Sequence, residues 1–155
     1  MSTLIVHDSE NPIQETDIAK VEKKLGAELP TDYREFLLTT NGGRPEPNIF
    51  IAHTRPGGSR EVLAWFFCIK EDDSNDLLEN VDIFQNRLPE SLLPIATDPF
   101  GNIICLSIEG RDRGKVYFWD HEKEAVKVDP FGYDNVYFIA DSFEEFLKSL
   151  LTSPE

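Results

Sequence analysis

Residues 93–121 constrain the fold of this chain more than any other stretch. They read Leu93-Pro94-Ile95-Ala96-Thr97, a break at Asp98-Pro99-Phe100-Gly101-Asn102, and then Ile103-Ile104-Cys105-Leu106-Ser107-Ile108. A second break at 109–114 leads into Lys115-Val116-Tyr117-Phe118-Trp119-Asp120-His121. The apolar runs are rich in β-branched and aromatic residues, which fit a pleated, packed surface. Asp98-Pro99-Phe100-Gly101 has the residue order of a type I turn, with Asp first, Pro second and Gly fourth. The pattern predicts an antiparallel meander, continued by a turn at 120–124 into a strand Ala125-Val126-Lys127-Val128. Ile104, Leu106 and Ile108 share one face, and Ile103, Cys105 and Ser107 the other. Both faces are mostly apolar, which predicts a central strand covered on both sides.

A chain of 155 residues is most simply one domain with a real core. Hydrophobic residues at 40% and charged residues at 28% are those of a soluble globular protein. The first eight residues have neither the basic start nor the apolar run of a signal peptide. The one dense apolar run, 62–69, is far short of the roughly 20 residues that span a bilayer. Cys68 and Cys105 both fall inside predicted strands, which points to buried free thiols in a reducing, cytoplasmic setting. Lys plus Arg number 15 against 29 Asp plus Glu, a net charge of −14. Residues 71–82 alone carry six acids and no base. Such a field repels nucleic acid and anionic membrane and speeds association with basic partners. It also serves solubility alone.

Along the chain, a first helix is predicted near 17–26, capped by Thr16, with Ile18, Val21 and Leu25 at helical spacing and Gly26 as its stop. Leu29-Pro30-Thr31-Asp32 opens a second near 31–40, whose inner face is Tyr33, Phe36, Leu37 and Thr40. It exposes too little positive charge to read DNA. Residues 44–60 read as loop around a short strand 48–52. The run Val62-Leu63-Ala64-Trp65-Phe66-Phe67-Cys68-Ile69 is apolar on both faces and is expected to be another central strand. Ser74 is expected to cap a third helix near 75–87, with Leu77, Val81, Phe84 and Leu88 inward and Asp76, Glu79 and Asp82 outward. Phe131-Gly132-Tyr133 reads as a turn and 136–139 as an edge strand. A last helix near 142–151 opens with either Asp141 and Glu144 or Ser142 and Glu145 as its capping pair. Its apolar face is Phe143, Phe146, Leu147, Leu150 and Leu151.

A search for chemistry finds no catalytic, metal or cofactor motif. His7, His53, His121, Cys68 and Cys105 show no CxxC, HxxxH or HExxH spacing. There is no Gly-x-Ser-x-Gly elbow and no Cys at a helix start. Gly57-Gly58-Ser59 lacks the Lys and the strand-to-helix context of a phosphate cradle. Residues 71–76 resemble a calcium loop in composition only, without its central Gly and terminal Glu. Trp119, Asp120, His121 and Glu122 lie together at a strand end, where a turn with local hydrogen bonds is the commoner arrangement.

The order of Ile18 to Leu25, Leu29-Pro30-x-x-Tyr33-x-x-Phe36-Leu37 and Asn41-Gly42-Gly43-x-Pro45 resembles the start of SUKH-superfamily domains. The branch is the one named after a yeast regulator of cell-wall glucan synthesis. The resemblance continues through Leu93-Pro94-Ile95-Ala96-x-Asp98-x-x-Gly101-Asn102-x-x-Cys105-Leu106. It then takes in Gly114-Lys115-Val116-Tyr117-Phe118-Trp119-Asp120-His121-Glu122 and Ile139-Ala140-Asp141-Ser142-Phe143-x-x-Phe146-Leu147. Residues 55–82 lie outside it. The resemblance implies a bacterial immunity protein that binds and neutralises a polymorphic, often nuclease, toxin. In fungi it implies a scaffold in cell-wall signalling. It carries no catalytic residues.

The expected fold is a single α+β domain over 1–155, with its core at about 16–151. An antiparallel-rich sheet of about five to six strands should pack against about four helices. Phe36, Phe66, Ile104, Leu106, Phe118, Phe146 and Leu147 should be in the core. The expected function is non-catalytic binding of a basic protein, a cognate toxin domain, with no cofactor, metal, nucleic acid or membrane partner. The expected contact set is Asp72, Asp73, Asp76, Glu79 and Asp82, with Glu71 at its edge. A regulatory scaffold is the alternative, and a small-molecule site at 119–122 the second.

Overall fold

The computed structural model describes residues 3–126 and 132–152. In chain order the elements are β1 (Ile5–His7), α1 (Glu15–Leu25), α2 (Thr31–Thr39), β2 (Arg44–Glu46), β3 (Ile49–Ala52), β4 (Ser59–Val62) and β5 (Trp65–Phe66). There follow α3 (Leu77–Ile83), β6 (Leu92–Thr97), β7 (Ile103–Ser107), β8 (Val116–Trp119), a 3-10 helix (His121–Val126), β9 (Val136–Ala140) and α4 (Phe143–Ser149). Strands β5-β6-β7-β8-β9 form one antiparallel sheet in that order. The two-sided apolar pattern of β7 has its cause in this order: β7 is central, and all five of its residues are buried.

Successive strand residues face opposite ways, so Phe118 and Trp119 mark the two faces of the sheet. Phe118 meets Phe50 of β3 at 5.8 Å between ring centres, and Phe50 in turn meets Phe146 of α4. Phe36 of α2 and Phe143 of α4 close the same aromatic cluster over Phe66. Trp119 on the other face receives the edge of Phe84, just past α3, at 5.7 Å. Of the expected core, Phe36, Phe66, Ile104, Leu106, Phe118 and Phe146 are buried and Leu147 is half-buried.

The run 62–69 is not one central strand: Leu63, Phe66, Phe67 and Cys68 are buried, while Val62, Ala64, Trp65 and Ile69 are half-buried. Its start pairs with β3, Ala64 N–H donates to Thr97 O, and only Trp65 and Phe66 pair with β6, at the edge of the sheet. Phe67 N–H then donates to Ile95 O at the bulge in β6, and Cys68 bridges to Asp76. A segment passed between successive partners is apolar all round for the same reason a central strand is. Gly43 joins β2 to this edge by exchanging two backbone hydrogen bonds with Phe66. Its φ of 124° and the His7 carbonyl, 2.5 Å from where a Cβ would sit, leave room only for glycine.

The strand expected at 125–128 is also corrected. Ala125 and Val126 belong to the 3-10 helix, and Lys127 and Val128 lie outside the described residues, as does Phe131 of the expected turn. The partner of β8 is β9, the expected edge strand. That edge is covered in turn: His53 N–H donates to Phe138 O, and Phe138 N–H donates to Thr54 Oγ1. An exposed ladder edge is a template for unwanted pairing, and the end of the β3–β4 hairpin blunts it here.

Four cap assignments are resolved. α1 starts at Glu15, with Asp17 accepting from Gln14 N–H, rather than being capped at Thr16. Gly26 ends it at φ 70°, as expected. α4 uses Ser142, whose Oγ accepts from Glu145 N–H. The cap of α3 is Asp76 rather than Ser74, and the helix spans 77–83 rather than 75–87. Beyond it the chain turns through Asn86 at φ 67°, while Leu88 N–H still bonds Phe84 O and keeps Leu88 inward.

Candidate functional site

The six carboxylates of residues 71–82 divide into two kinds. Two backbone hydrogen bonds close the loop that carries them, Cys68 N–H to Asn75 O at 2.9 Å and Leu77 N–H to Cys68 O at 2.7 Å. Inside this closure Asp76 Oδ1 accepts from Lys70 N–H at 2.8 Å, and Oδ2 accepts from Glu79 N–H at 3.1 Å. Asp73 Oδ1 accepts from Asn75 N–H, and its Oδ2 lies 3.9 Å from Lys70 Nζ. The buried Asn80 amide donates to the carbonyls of Ser74 and Asp76, latching the loop to α3. Asp73 and Asp76 are therefore half-buried framework groups. Glu71, Asp72, Glu79 and Asp82 are exposed, and no ion pair among the described residues includes any of them.

Lys70, just outside the stretch, is committed to Glu10 at 3.1 Å, and that hydrogen bond raises its pKa. The Cys68 thiol beneath the loop is pushed up to about 12, first by desolvation and then by the charges of Asp73, Glu10 and Asp76. The loop and helix thus present a rigid, one-signed field. Asp76-Leu77-Leu78-Glu79 has the spacing of a capping box, and this signal separates Asp76 from the outward-facing acids.

The side chains of residues 119–122 go to four environments. Trp119 is buried under Phe84. Asp120 is buried and turned toward Arg55 Nη2 at 3.2 Å, while its Oδ1 accepts from Glu122 N–H at 3.0 Å. His121 packs over Gly101, its backbone N–H held by Asn102 Oδ1, and Glu122 is exposed. Asp98, buried, accepts from the backbone of Phe100 and Asn102 and from the Asn102 amide. Asp98 and Asn102 thus organise one turn and Asp120 another, both with the local hydrogen bonds expected of them, and the His121 N–H to Asn102 Oδ1 bond ties the two together. Among the described residues no group of three His, Cys, Asp or Glu side chains converges as a metal site.

Sequence reasoning did not find a groove of about 350 Å³ at the far end of α3. Its walls come from the end of α1, from the continuous stretch of α3, the turn after it and the start of β6, and from the segment that follows β7, three parts of the chain far apart in sequence.

A five-stranded antiparallel sheet with helices packed on both faces defines the class as an α+β domain. The chain belongs to the SMI1 / KNR4 family (SUKH-1), which it matches over residues 12–149. Among curated proteins it is 32% identical over 152 residues to the SPbeta prophage-derived uncharacterized protein YokK of Bacillus subtilis (strain 168), a match covering 88% of this chain and 74% of that protein. No helix among the described residues is long and apolar enough to cross a membrane.

Proposed function

We propose that this chain is a non-catalytic immunity protein that binds and neutralises a cognate toxin domain in the cytoplasm. The observation that carries the reading is the set of exposed, unpaired carboxylates Glu71, Asp72, Glu79 and Asp82 on a hydrogen-bonded frame. Keeping like charges together costs stability through repulsion, which a purely solvated face relieves with interspersed lysines. A toxin that acts on nucleic acid needs a basic cleft, and an acidic surface both speeds encounter and occupies the substrate's place. Membership of the SUKH-1 family and a relative named for its prophage origin support the same reading. Asp73 and Asp76 act by holding the loop rather than by touching the partner.

The test has two parts. A toxin domain should be encoded beside this gene, cells expressing it should grow only when the chain is co-expressed, and the two purified proteins should form a complex. Failure of these results overturns the immunity reading. The triple variant Glu71→Lys/Glu79→Lys/Asp82→Lys spares the cap at Asp76, so it should fold. It should associate with the toxin at least tenfold more slowly and with weaker salt dependence, a loss typical of removed steering at about the 8 Å Debye length of physiological salt. Unchanged association rate and salt dependence place the contact elsewhere.

A further inference from the structure

Carboxylates set the rate of encounter more than the lifetime of a complex, which depends on apolar side chains seated in dry pockets. The loop end of the acidic face lines a hollow of about 380 Å³ in which the carboxylates Asp8, Glu10 and Asp73 disfavour an apolar side chain, and the groove at the far end of α3 suits one better. Leu25 at the end of α1, Val81 on α3, Phe84 and Leu88 after it, and Ile108 after β7 form its apolar walls. Its volume of about 350 Å³ is enough for one large side chain. The wall is already in place: Phe84 is held edge-on by Trp119 and covered by the Arg87 guanidinium at 4.7 Å. Glu124 binds Arg87 through both carboxylate oxygens, at 2.9 and 3.0 Å, so this cation is spoken for. Asp82, Glu90 and Glu109 line the groove against the single Lys24, and none of these four is ion-paired among the described residues. Ile83, beside Asp82, is 49% exposed.

We infer that this groove seats an apolar side chain of the basic protein partner, with flanking Lys or Arg residues of the same segment on Asp82, Glu90 and Glu109. The inference rests on the reading of the acidic face as a partner surface, and Asp82 belongs to both. A second copy of this chain is the wrong occupant, because it brings the same acids to the contact at a net charge of −14. A neutral apolar ligand leaves the three carboxylates without a role.

The probe is a synthetic acetylated peptide with one phenylalanine between pairs of lysines, titrated into isotope-labelled protein and followed by methyl NMR. The signals of Leu25, Val81, Leu88 and Ile108 should shift together. The shifts should vanish when the phenylalanine is replaced by serine, and weaken in Glu90→Gln/Glu109→Gln, whose exposed positions leave the fold intact. Shifts outside the groove, equal shifts with the serine peptide, dimerisation through the groove, or tighter binding of an uncharged phenylalanine peptide each overturn the proposal. With the toxin domain itself, Val81→Ala should raise the dissociation rate about tenfold, the effect of two buried methyl groups, and leave association unchanged. Toxin binding with an unaltered dissociation rate in a folded Val81→Ala protein overturns the groove and leaves the immunity reading standing. Peptide in the groove without any toxin complex or protection upholds the groove and overturns immunity.

Discussion

Cys105 lies in the middle of β7 and Cys68 against the entry to α3, both closed off from solvent. Desolvation is the cause that pushes both thiols up, with nearby acids adding to it at Cys68. Neither thiol of the native protein should react with an alkylating reagent at neutral pH, whereas both should react in denaturant. The same shifts set a stability window. Below the ordinary thiol value the folded and unfolded states are both protonated, and nothing is lost. As pH rises from about 9 toward about 12, the unfolded Cys68 ionises while the folded one cannot, and stability falls. Denaturant midpoints across that range should decline, and less steeply in a Cys68→Ala/Cys105→Ala protein. Tyr117, also raised to about 12 by burial first, continues the decline. A flat profile contradicts the burial argument. That both cysteines are buried was legible from the apolar residues around them. That Cys68 sits under an acidic loop was only partly legible, because Asp73 and Asp76 follow it closely in sequence but fold back over it, while Glu10 reaches it from a distant part of the chain.

The helices were legible as elements and less so at their ends. Periodicity placed the inward residues of α1, α2 and α4, because a repeat of about 3.6 residues is a local property of the chain. The exception is Leu151, which lies past the end of α4 at Ser149, is 38% exposed and bridges Ile49. The α3 cap depended on which of two nearby side chains faced the free amides. Asp76→Ala removes the acceptor of two backbone N–H groups and should cost about 1–2 kcal/mol in chemical denaturation. Ser74→Ala should stay within about 0.5 kcal/mol, since the Ser74 side chain caps nothing and only its carbonyl holds Asn80. Equal losses, or a larger one at Ser74, argue against the assigned cap. The run 62–69 was misread for a related reason. Apolar character on both sides reports burial, and burial does not say how many partners supply it.

At the scale of the molecule, Arg55 ties the β3–β4 hairpin to the main sheet. It bonds Glu61 at 2.5 Å and Asp120 at 3.2 Å, and lies over Phe118 at 5.5 Å. Asp120 is only 1% exposed, so removing Arg55 strands a buried carboxylate. Arg55→Ala should cost about 2–3 kcal/mol, less than a fully buried pair because Arg55 and Glu61 keep some solvent. Asp120→Asn in that background should recover part of the loss, since the orphaned charge is the main cost. No recovery means that packing over Phe118, rather than charge, is what Arg55 supplies.

The sequence alone determined the β6–β7–β8 part of the antiparallel meander, the central place of β7, most of the inward residues of the helices and the chain's acidity. Each depends on residue order within one strand, helix or turn. Only the tertiary structure decided which acids are free. Asp73 and Asp76 are spent on their own loop, while Glu71, Asp72, Glu79 and Asp82 are not. It also decided that Leu25, Val81, Phe84 and Ile108 share one groove. These are facts of proximity between distant segments, and side-chain pattern along a chain carries no record of which distant segment will be packed against it.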